Sequence, residues 1–422
     1  MSTLLIIGNG FDRYIGLDST YENFFTHHLP DETRNFLKEI KENYEFRISG
    51  EFENPEFFNH LSFPYDRESV KNKFSPSTSI KTPEDFSDKL SFWDLLFYYS
   101  IDKLPDEWND IENRIKDFFS ETENSEFTYK KMFDTDRSYL SSSGKMLLSI
   151  FLGLFPENRY SDFKDPVDFL KHELLILEKS FSEYLEKLVK NKSSYHPECR
   201  ELLLQLLTES KETNFSGGIF SDKILSFNYT DPIGNSTLSY NSYPRQKELN
   251  GSRVEDNKRF WDQVKKMTIN VHGSLEKQDV VFGFDSVDKE QLDDFYRFSK
   301  TYRQLIGSFS SEVHAFQLES AISKVVFFGH SLSLLDYSYF QAIFDHYSLY
   351  DSSIKLYFYY ANLNSSSRED MVKKVLHLLT YYSRSLDNSY HRKNLLHKLL
   401  LEKRLFIIPL EDELGKIKKK SS

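Results

Sequence analysis

The chain has 422 residues, which is enough for one large domain or two of ordinary size. Its 39% hydrophobic and 28% charged residues predict a globular protein rather than a disordered one. The net charge of −11 disfavours nucleic acid as a partner, the single cysteine excludes an intrachain disulfide, and no apolar run approaches the roughly 20 residues of a membrane span.

The N-terminal end and the lone thiol predict the compartment. Residues 4–7 already have the pattern of a strand, and no basic flank or signal-peptide pattern precedes them. One thiol, Cys199, suits a reducing environment. We therefore expect a cytoplasmic protein with no membrane partner.

The first strand and the turn behind it organise the rest of the chain. Residues 4–7 are four apolar residues, which indicates a buried strand, and Gly8 and Gly10 follow at once. Two glycines let a backbone approach a ligand closely, because no Cβ stands in the way. A helix starting here would direct its unpaired N–H groups at a phosphate. This turn is therefore predicted to bind the phosphates of a nucleotide, although the third glycine of a full dinucleotide fingerprint is missing.

Two polar residues of this turn have alternative interpretations. Asp12 either stabilises or caps the first turn of a helix, worth about 0.3–1 kcal/mol, or it binds a ribose hydroxyl of the nucleotide or orients a neighbouring residue. Asn9 either contributes to binding the nucleotide or simply tolerates a left-handed conformation between the two glycines.

The next 200 residues are predicted to form a helical block. The clearest helix begins at Pro166, which suits the first helical position, and apolar residues then recur every three or four positions. The predicted helices cover 19–46, 90–98, 108–119, 165–188 and 200–209, with irregular stretches at 47–90 and 120–145. Residues 20–220 are therefore interpreted as a helical insert.

After residue 220, short apolar runs alternate with helices. The predicted strands cover 224–227, 267–271, 280–282, 325–328, 354–360 and 405–410, and the later helices cover 337–347, 368–382 and 387–403. Continuous apolar strands alternating with helices are typical of a parallel sheet that is covered on both faces. The prediction is an α/β fold with a Rossmann-like parallel sheet, built from residues 1–19 and 221–415. Residues 416–422 are a basic tail.

Polar residues collect where these strands end. They are Asn9, Asp12, Asn228, Thr230, Asp231, His272, Ser274, His330, Ser331 and Asp336. Ligands of an open parallel sheet bind outside the carboxyl ends of its strands. Because a buried polar group without a partner costs about 1–3 kcal/mol, such a cluster must be satisfied internally, by water or by a ligand. The histidines show no metal-ligand spacing, so no metal is expected.

Four short motifs at these strand ends resemble the AbiH family, bacterial proteins of abortive phage infection. They are Gly8-Asn9-Gly10-Phe11-Asp12, Ser226-Phe227-Asn228-Tyr229-Thr230, His272-Gly273, and Gly329-His330-Ser331-Leu332 with Asp336. Trp108 with Glu112 resembles the Trp-x-x-x-Glu element of the same family. The resemblance spans nearly the whole chain and implies anti-phage defence. A phage-derived trigger is one of the partners that such a role allows.

A more distant similarity is to sirtuin-type NAD-binding folds. The Gly-x-Gly turn, Asn228 after a central strand and His272-Gly273 after the next occur in the same order, and Asp231 lies one residue beyond the sirtuin-like Asp. This similarity implies NAD as substrate or ligand. One cysteine cannot supply the four-thiolate zinc site of that family, which favours NAD cleavage or nucleotide sensing over deacylation.

The predicted roles follow from residue chemistry and from these resemblances. Asn228 is a poor strand residue whose amide can both donate to and accept from a ribose hydroxyl or a water. His272 is the predicted general base, because imidazole titrates near neutral pH. The other expected nucleotide-binding residues are Gly8, Asn9, Gly10, Asp12, Thr230, Asp231, Gly273, Gly329, His330, Ser331 and Asp336. The alternatives are a cap of the following turn for Asn228, a cap at the start of a helix for Asp231, a capping or packing role for His330, and the start of the next helix for Asp336.

Three functional hypotheses remain open at this stage. The first is hydrolysis of the nicotinamide–ribose bond of NAD, and the second is a nucleotide sensor or scaffold without turnover. The third is a metal-dependent nuclease that uses Glu112, against which the acidic net charge counts. Residues 284–320 are a candidate lid, and a homo-oligomer is left open.

Overall fold

The computed structural model describes two compact parts of the chain. The described residues are 2–29, 31–38, 90–100, 111–112, 115, 163, 166–208, 222–234, 254–284, 296–306, 318, 322–361 and 368–410. The first unit comprises Met1–Ser19, Leu185–Val281 and Arg303–Ser422, and the second comprises Thr20–Tyr184 and Phe282–Tyr302. The predicted boundaries of the helical insert, at residues 20 and 220, stay a prediction.

The first unit contains a six-stranded sheet. Its strands are β1 Ser2–Ile7, β2 Lys223–Ser226, β3 Thr268–Asn270, β4 Ile322–Phe328, β5 Lys355–Tyr360 and β6 Leu405–Pro409. They lie in the order β3-β2-β1-β4-β5-β6, and every pairing is parallel. This is the strand order of the doubly wound Rossmann fold. The predicted α/β class and parallel sheet are confirmed.

Helices alternate with these strands along the chain. The described α-helices are α1 Gly10–Ile15, α2 Tyr21–His28, α3 Phe92–Ser100, α4 Pro166–Asn191, α5 Tyr195–Thr208, α6 Val254–Lys266, α7 Lys300–Ile306, α8 Tyr337–His346, α9 Arg368–Ser383 and α10 Ser389–Leu401. Residues 31–38 are also helical. None of the described helices has the length and apolar character needed to cross a membrane.

Both faces of the sheet are buried, which explains why its strands are continuous apolar runs. Leu4 and Ile6 of β1 pack in one core with α8, α9 and α10. Leu5 and Ile7 point to the opposite face and pack with α1, α5 and α6. Successive side chains of a strand point to opposite faces, so a strand covered on both sides needs apolar residues at every position.

One predicted strand is wrong. Residues 280–282 form no strand, although Val280 and Phe282 are buried as a strand would require. The backbone N–H of Val281 instead donates to the carbonyl of His272 over 3.0 Å. Burial without ladder pairing leaves the same apolar signature as a strand. The other five predicted strands and the helices at 337–347, 368–382 and 387–403 are confirmed, with ends shifted by up to three residues.

The second unit is helical and aromatic in its described part. Tyr21 and Phe24 of α2 lie 5.3 Å apart between ring centroids, and Phe24 lies 5.1 Å from Phe181 of α4. A buried carboxylate of α4, Glu173, accepts the backbone N–H of Phe92 over 2.7 Å and so satisfies the start of α3. The predicted helices at 90–98 and 165–188 are confirmed by α3 and α4.

Several predictions fall on other parts of the chain. The irregular stretches at 47–89 and 120–145 and the basic tail 416–422 lie outside the described residues. Of the predicted helix at 108–119, residues 111, 112 and 115 are described, and all three are helical.

Candidate functional site

The turns after β1 and β4 pack backbone against backbone at the switch point of the sheet. The N–H of Gly10 donates to the carbonyl of Gly329 over 2.7 Å, and the N–H of Gly8 donates to the carbonyl of Phe328 over 3.2 Å. A Cβ on Gly10 would lie 2.7 Å from the Cα of Gly329, and one on Gly8 would lie 2.7 Å from the Cα of His330. These glycines are therefore required by the contact between the two turns. Their phosphate-binding role stays a prediction.

Asn9 holds the far end of the first turn. Its Oδ1 accepts from the Oγ of Ser19 over 2.6 Å, and its Nδ2 donates to the Ser19 carbonyl over 3.3 Å. Its φ of −55° is right-handed, so the interpretation of Asn9 as a left-handed residue is wrong. The side chain stabilises the loop behind α1.

Asp12 is buried and engaged with two hydroxyl groups. Tyr195 of α5 and Thr230 of the loop after β2 each donate to its carboxylate over 2.7 Å. Burial raises the pKa of Asp12 to about 6, although these two hydrogen bonds lower it. Burial and the charge of Asp12 together raise the pKa of Tyr195 well above its ordinary value. Asp12 and Thr230 thus join α1, α5 and the loop that carries Asn228.

Asn228 is the unsatisfied polar side chain at the end of β2. Its residue is 2% exposed, and within the described part of the chain neither atom of its side-chain amide has a hydrogen-bond partner. Its backbone is well held, because its N–H donates to the Oγ of Ser226 and its carbonyl accepts from the Nδ2 of Asn270 over 2.9 Å. Backbone hydrogen bonds therefore hold the loop in place, and the side-chain amide of Asn228 is not needed for that purpose.

Two imidazoles share one carboxylate at the neighbouring strand ends. The Nε2 of His272, after β3, lies 3.1 Å from Oδ1 of Asp336, and the Nε2 of His330, after β4, lies 3.3 Å from Oδ2. All three side chains are at most 9% exposed. The ring of Phe227 stands edge-on to both, with centroids 5.3 Å from His272 and 4.5 Å from His330. The three predicted residues are therefore brought together in one buried cluster.

The loop after His272 depends on a glycine. Gly273 has a φ of +83°, and a Cβ there would lie 1.9 Å from the carbonyl oxygen of Asp279. The N–H of Ser274 donates to Oδ1 of Asp279 over 2.7 Å and closes the turn. The hydroxyl of Ser274 has no partner among the residues that the structure describes. Gly273 is required by the loop itself, and its part in nucleotide binding stays a prediction.

The loop after His330 is held in an unusual conformation. Leu332 has a φ of +58°, and its N–H donates to Nδ1 of His330 over 2.9 Å. The Oγ of Ser331 accepts the N–H of Ser333 over 3.4 Å. Asp336 begins α8, as predicted, but its side chain makes no capping hydrogen bond and contacts the histidines instead.

Two predicted carboxylates are engaged elsewhere. Asp231 accepts the N–H of Ile233 over 2.9 Å with one oxygen, and its other oxygen lies 2.9 Å from the Nζ of Lys265. The bond to Ile233 is that of a cap, but residues 232–234 form no helix, so the helix start expected at this point is wrong. Glu112, in the second unit, forms a buried ion pair of 2.9 Å with Lys300. Among the described residues, no group of three or more His, Cys, Asp or Glu side chains is placed to hold a metal ion.

Some residues of the site were missed by sequence reasoning. The side chain of Gln304 donates to the carbonyl of Val271, next to His272, and accepts from the hydroxyl of Tyr339 over 2.7 Å. The ring of Tyr339 lies 6.4 Å from His272 and 5.5 Å from Phe227. Nothing in the pattern around Gln304 distinguishes it from a solvated glutamine. It lies in the candidate lid 284–320, of which only parts are described, and the lid stays a prediction.

The fold and this cluster define the class of the protein. It is a Rossmann-like α/β protein with a buried imidazole–carboxylate cluster and an unsatisfied amide at the carboxyl ends of its strands. A family model described as bacteriophage abortive infection AbiH matches residues 4–360, from β1 to the end of β5. The chain therefore belongs to the AbiH family and is an anti-phage protein of the abortive-infection type. Searches of the curated proteins and of the solved structures found no match.

Proposed function

We propose that the carboxyl ends of β1 to β4 bind NAD or a related nucleotide and that the site hydrolyses its nicotinamide–ribose bond. The observation that carries the proposal is the amide of Asn228, which is buried and has no partner in the described part of the chain. An unmatched buried amide costs about 1–3 kcal/mol. A ribose hydroxyl, which both donates and accepts, would remove that cost.

His272 supplies the base that such a hydrolysis needs. A proton on its Nε2 would face Asp336, 3.1 Å away, and the lone pair on Nδ1 would then accept a proton from water. The oxygen of that water bonds to C1′ of the ribose while the bond from C1′ to the nicotinamide nitrogen breaks. The electron pair of the broken bond neutralises the pyridinium ring, so the products are nicotinamide, ADP-ribose and a proton held on His272. Asp336 stabilises the imidazolium, and a base so placed contributes roughly 10²–10⁴-fold in rate.

The switch point between β1 and β4 is where the remainder of the nucleotide would bind. Doubly wound sheets bind ligands in the crevice where strand order reverses. The turns of Gly8 to Gly10 and of Gly329 to Ser331 meet at that point. The N–H groups of Gly8 and Gly10 are engaged between the two turns, and the hydroxyl of Ser331 would contact the phosphates or the second ribose. Draining NAD from an infected cell would stall phage growth, which is consistent with abortive infection.

The test is NAD loss over time with purified protein, alone and with phage lysate. Wild type should consume NAD, and Asn228→Ala should lose roughly 10²-fold or more in rate while keeping its fold, as one lost transition-state contact does in other enzymes. Asn394→Ala is the matched control, because it removes an exposed amide of α10 whose oxygen accepts from the hydroxyl of Tyr350, and it should leave the rate unchanged. Equal rates for wild type and Asn228→Ala would overturn the assignment of the site.

The other two hypotheses give different outcomes. A sensor without turnover would bind NAD without consuming it, and His272→Ala would protect against phage as well as wild type does. A nuclease would degrade DNA or RNA with a divalent metal and would lose this activity in Glu112→Ala. The buried ion pair of Glu112 with Lys300 occupies the carboxylate that the nuclease would need.

A further inference from the structure

His330 differs from His272 although both contact Asp336. We propose that His330 is a positioning residue, which holds Asp336 in place for His272 and does not itself contact the nucleotide. The proposal rests on the proposed function only in taking His272 as the base. It reassigns a residue that the sequence placed in nucleotide binding.

A backbone hydrogen bond sets the tautomer of His330. Its Nδ1 accepts the N–H of Leu332 over 2.9 Å, so in the neutral ring Nδ1 carries the lone pair and Nε2 carries the proton. That Nε2 is the nitrogen 3.3 Å from Oδ2 of Asp336. His330 therefore presents its proton to the carboxylate, and its only basic nitrogen is already used. It cannot take a proton from water without breaking the bond to Leu332.

The backbone conformation of Leu332 is what sets this tautomer. Leu332 adopts a left-handed conformation at φ +58°, which is strained for a residue other than glycine. The leucine side chain is 4% exposed and belongs to the core on the α8 face of the sheet, so packing stabilises that conformation. The conformation places the Leu332 N–H on His330. A strained residue that fixes the proton position of a neighbouring imidazole has a physical reason to be strained.

Neighbouring aromatic rings confine the ring of His330. Phe227 and Phe340 stand edge-on to it, with centroids at 4.5 Å and 5.0 Å. The backbone of His330 also lies against the turn after β1, because a Cβ on Gly8 would reach its Cα at 2.7 Å. Phe227 and Phe340 belong to the core on the α8 face of the sheet, so the His330 ring cannot flip without displacing core side chains. His330 faces one carboxylate oxygen of Asp336, and His272 faces the other.

The two histidines that contact Asp336 therefore have different roles. His330 lies against Oδ2 of Asp336 and keeps the buried carboxylate oriented, which leaves Oδ1 for His272. A buried carboxylate that loses one of its donors becomes easier to protonate. The base would then lose the anion that stabilises its protonated form.

Two variants of His330 separate the contacts that it makes. His330→Gln can place its Nε2 amide near the original Nε2 and keep a donor for Asp336, whereas it gives up the acceptor for Leu332. His330→Asn keeps an acceptor near the original Nδ1 but is too short to reach Asp336. If His330 acts through Asp336, Gln should preserve the behaviour of His272 and Asn should not.

The measurement is nitrogen-15 NMR of the histidine side chains, assigned with His272→Gln and His330→Gln. In wild type, His330 should be the Nε2–H tautomer wherever it is neutral. In His330→Asn the pKa of His272 should fall by about one unit, because its counter-ion is weakened, and in His330→Gln it should stay near the wild-type value. An Nδ1–H tautomer of His330 in wild type, or identical titration of His272 in all three proteins, would overturn the proposal.

Kinetics with NAD provide the second readout. A positioning role predicts that His330→Asn lowers kcat roughly tenfold or more with KM little changed, and that the acidic limb of the pH profile follows His272. Direct contact with the nucleotide would instead raise KM in both variants and would overturn the proposal. The NMR readout needs no substrate. If NAD is not hydrolysed but the titration of His272 moves as stated, the proposed function fails and the positioning role of His330 stands.

Discussion

A buried ion pair of the second unit and a buried amide of the first differ in how they are satisfied. In the second unit Lys300 lies 2.9 Å from Glu112, and Glu173 accepts the N–H of Phe92 over 2.7 Å, so these buried charges have partners within the fold. In the first unit Asn228 is buried just as deeply, yet its amide has no partner among the described residues. A satisfied buried group contributes to architecture, whereas an unsatisfied one costs stability and needs another explanation.

The ion pair of the second unit should give the largest effect on stability. Lys300→Met leaves Glu112 buried without its partner and should lower the free energy of unfolding by about 3–5 kcal/mol. Chemical denaturation of the purified protein measures this loss. The double variant Lys300→Met/Glu112→Leu should recover most of it, since no charge is then buried.

A matched exposed pair sharpens the comparison. Lys190 and Glu186 lie 3.2 Å apart on α4, with the lysine side chain 75% exposed. Lys190→Met should change the free energy of unfolding by less than about 0.5 kcal/mol. A loss in Lys300→Met no larger than in Lys190→Met would show that the buried pair has no structural role.

Asp12 should give the next largest effect, and it depends on pH. Its pKa is raised from 3.8 to about 6 in the folded protein by burial, so folding favours its neutral form. The stability that it contributes is present below about pH 4 and is lost as the pH rises through 6, a change of about 3 kcal/mol for this group.

Asp12→Asn removes this titration while keeping groups that can bond Tyr195 and Thr230. The free energy of unfolding of Asp12→Asn relative to wild type should therefore rise by about 3 kcal/mol between about pH 4 and pH 7. Denaturant titrations of both proteins across this range measure the difference. Parallel pH dependences would contradict the raised pKa of Asp12.

The fold was largely predictable because burial leaves a simple pattern. Strands covered on both faces are apolar at every position, and Gly and polar residues mark their ends. The error at 280–282 comes from the same pattern, since Val280 and Phe282 are buried although these residues form no strand. The N–H of Val281 donates to the carbonyl of His272, and the N–H of Phe282 donates to the carboxylate of Glu178 over 2.6 Å. Apolar runs of three residues report burial and not pairing.

The membership of the site was predictable, but the division of roles within it was not. Parallel strands bring their carboxyl ends to one edge, so the presence there of Asn228, His272 and Asp336 follows from strand order. That Asp12 is engaged by Thr230, and that two histidines divide one carboxylate, depends on side-chain directions which only the folded structure reveals.

The glycines show the same limit. A glycine in the sequence indicates a position with no room for a Cβ, but it does not tell which atoms lie against that position. At Gly10 they are backbone atoms of Gly329.

The smallest expected effect on stability is that of replacing Asn228. Its sign tells whether the buried amide stabilises the fold or is kept for a ligand. Asn228→Leu keeps the number and branching of the side-chain heavy atoms and removes both unpartnered amide atoms, so without ligand it should raise the free energy of unfolding by about 1–2 kcal/mol. The same variant should lose NAD binding and turnover, since activity is often the cost of removing a destabilised site.

Asn270→Leu is the matched control for this variant. Asn270 donates to the carbonyls of Asn228 and Thr230 over 2.9 Å and 3.1 Å, so its loss leaves both without that donor and should destabilise the protein by about 1–3 kcal/mol. Denaturation of the two variants side by side decides the matter. If Asn228→Leu is destabilised as much as Asn270→Leu, the Asn228 amide serves the fold; if the two change with opposite sign, that amide is held unsatisfied for a ligand.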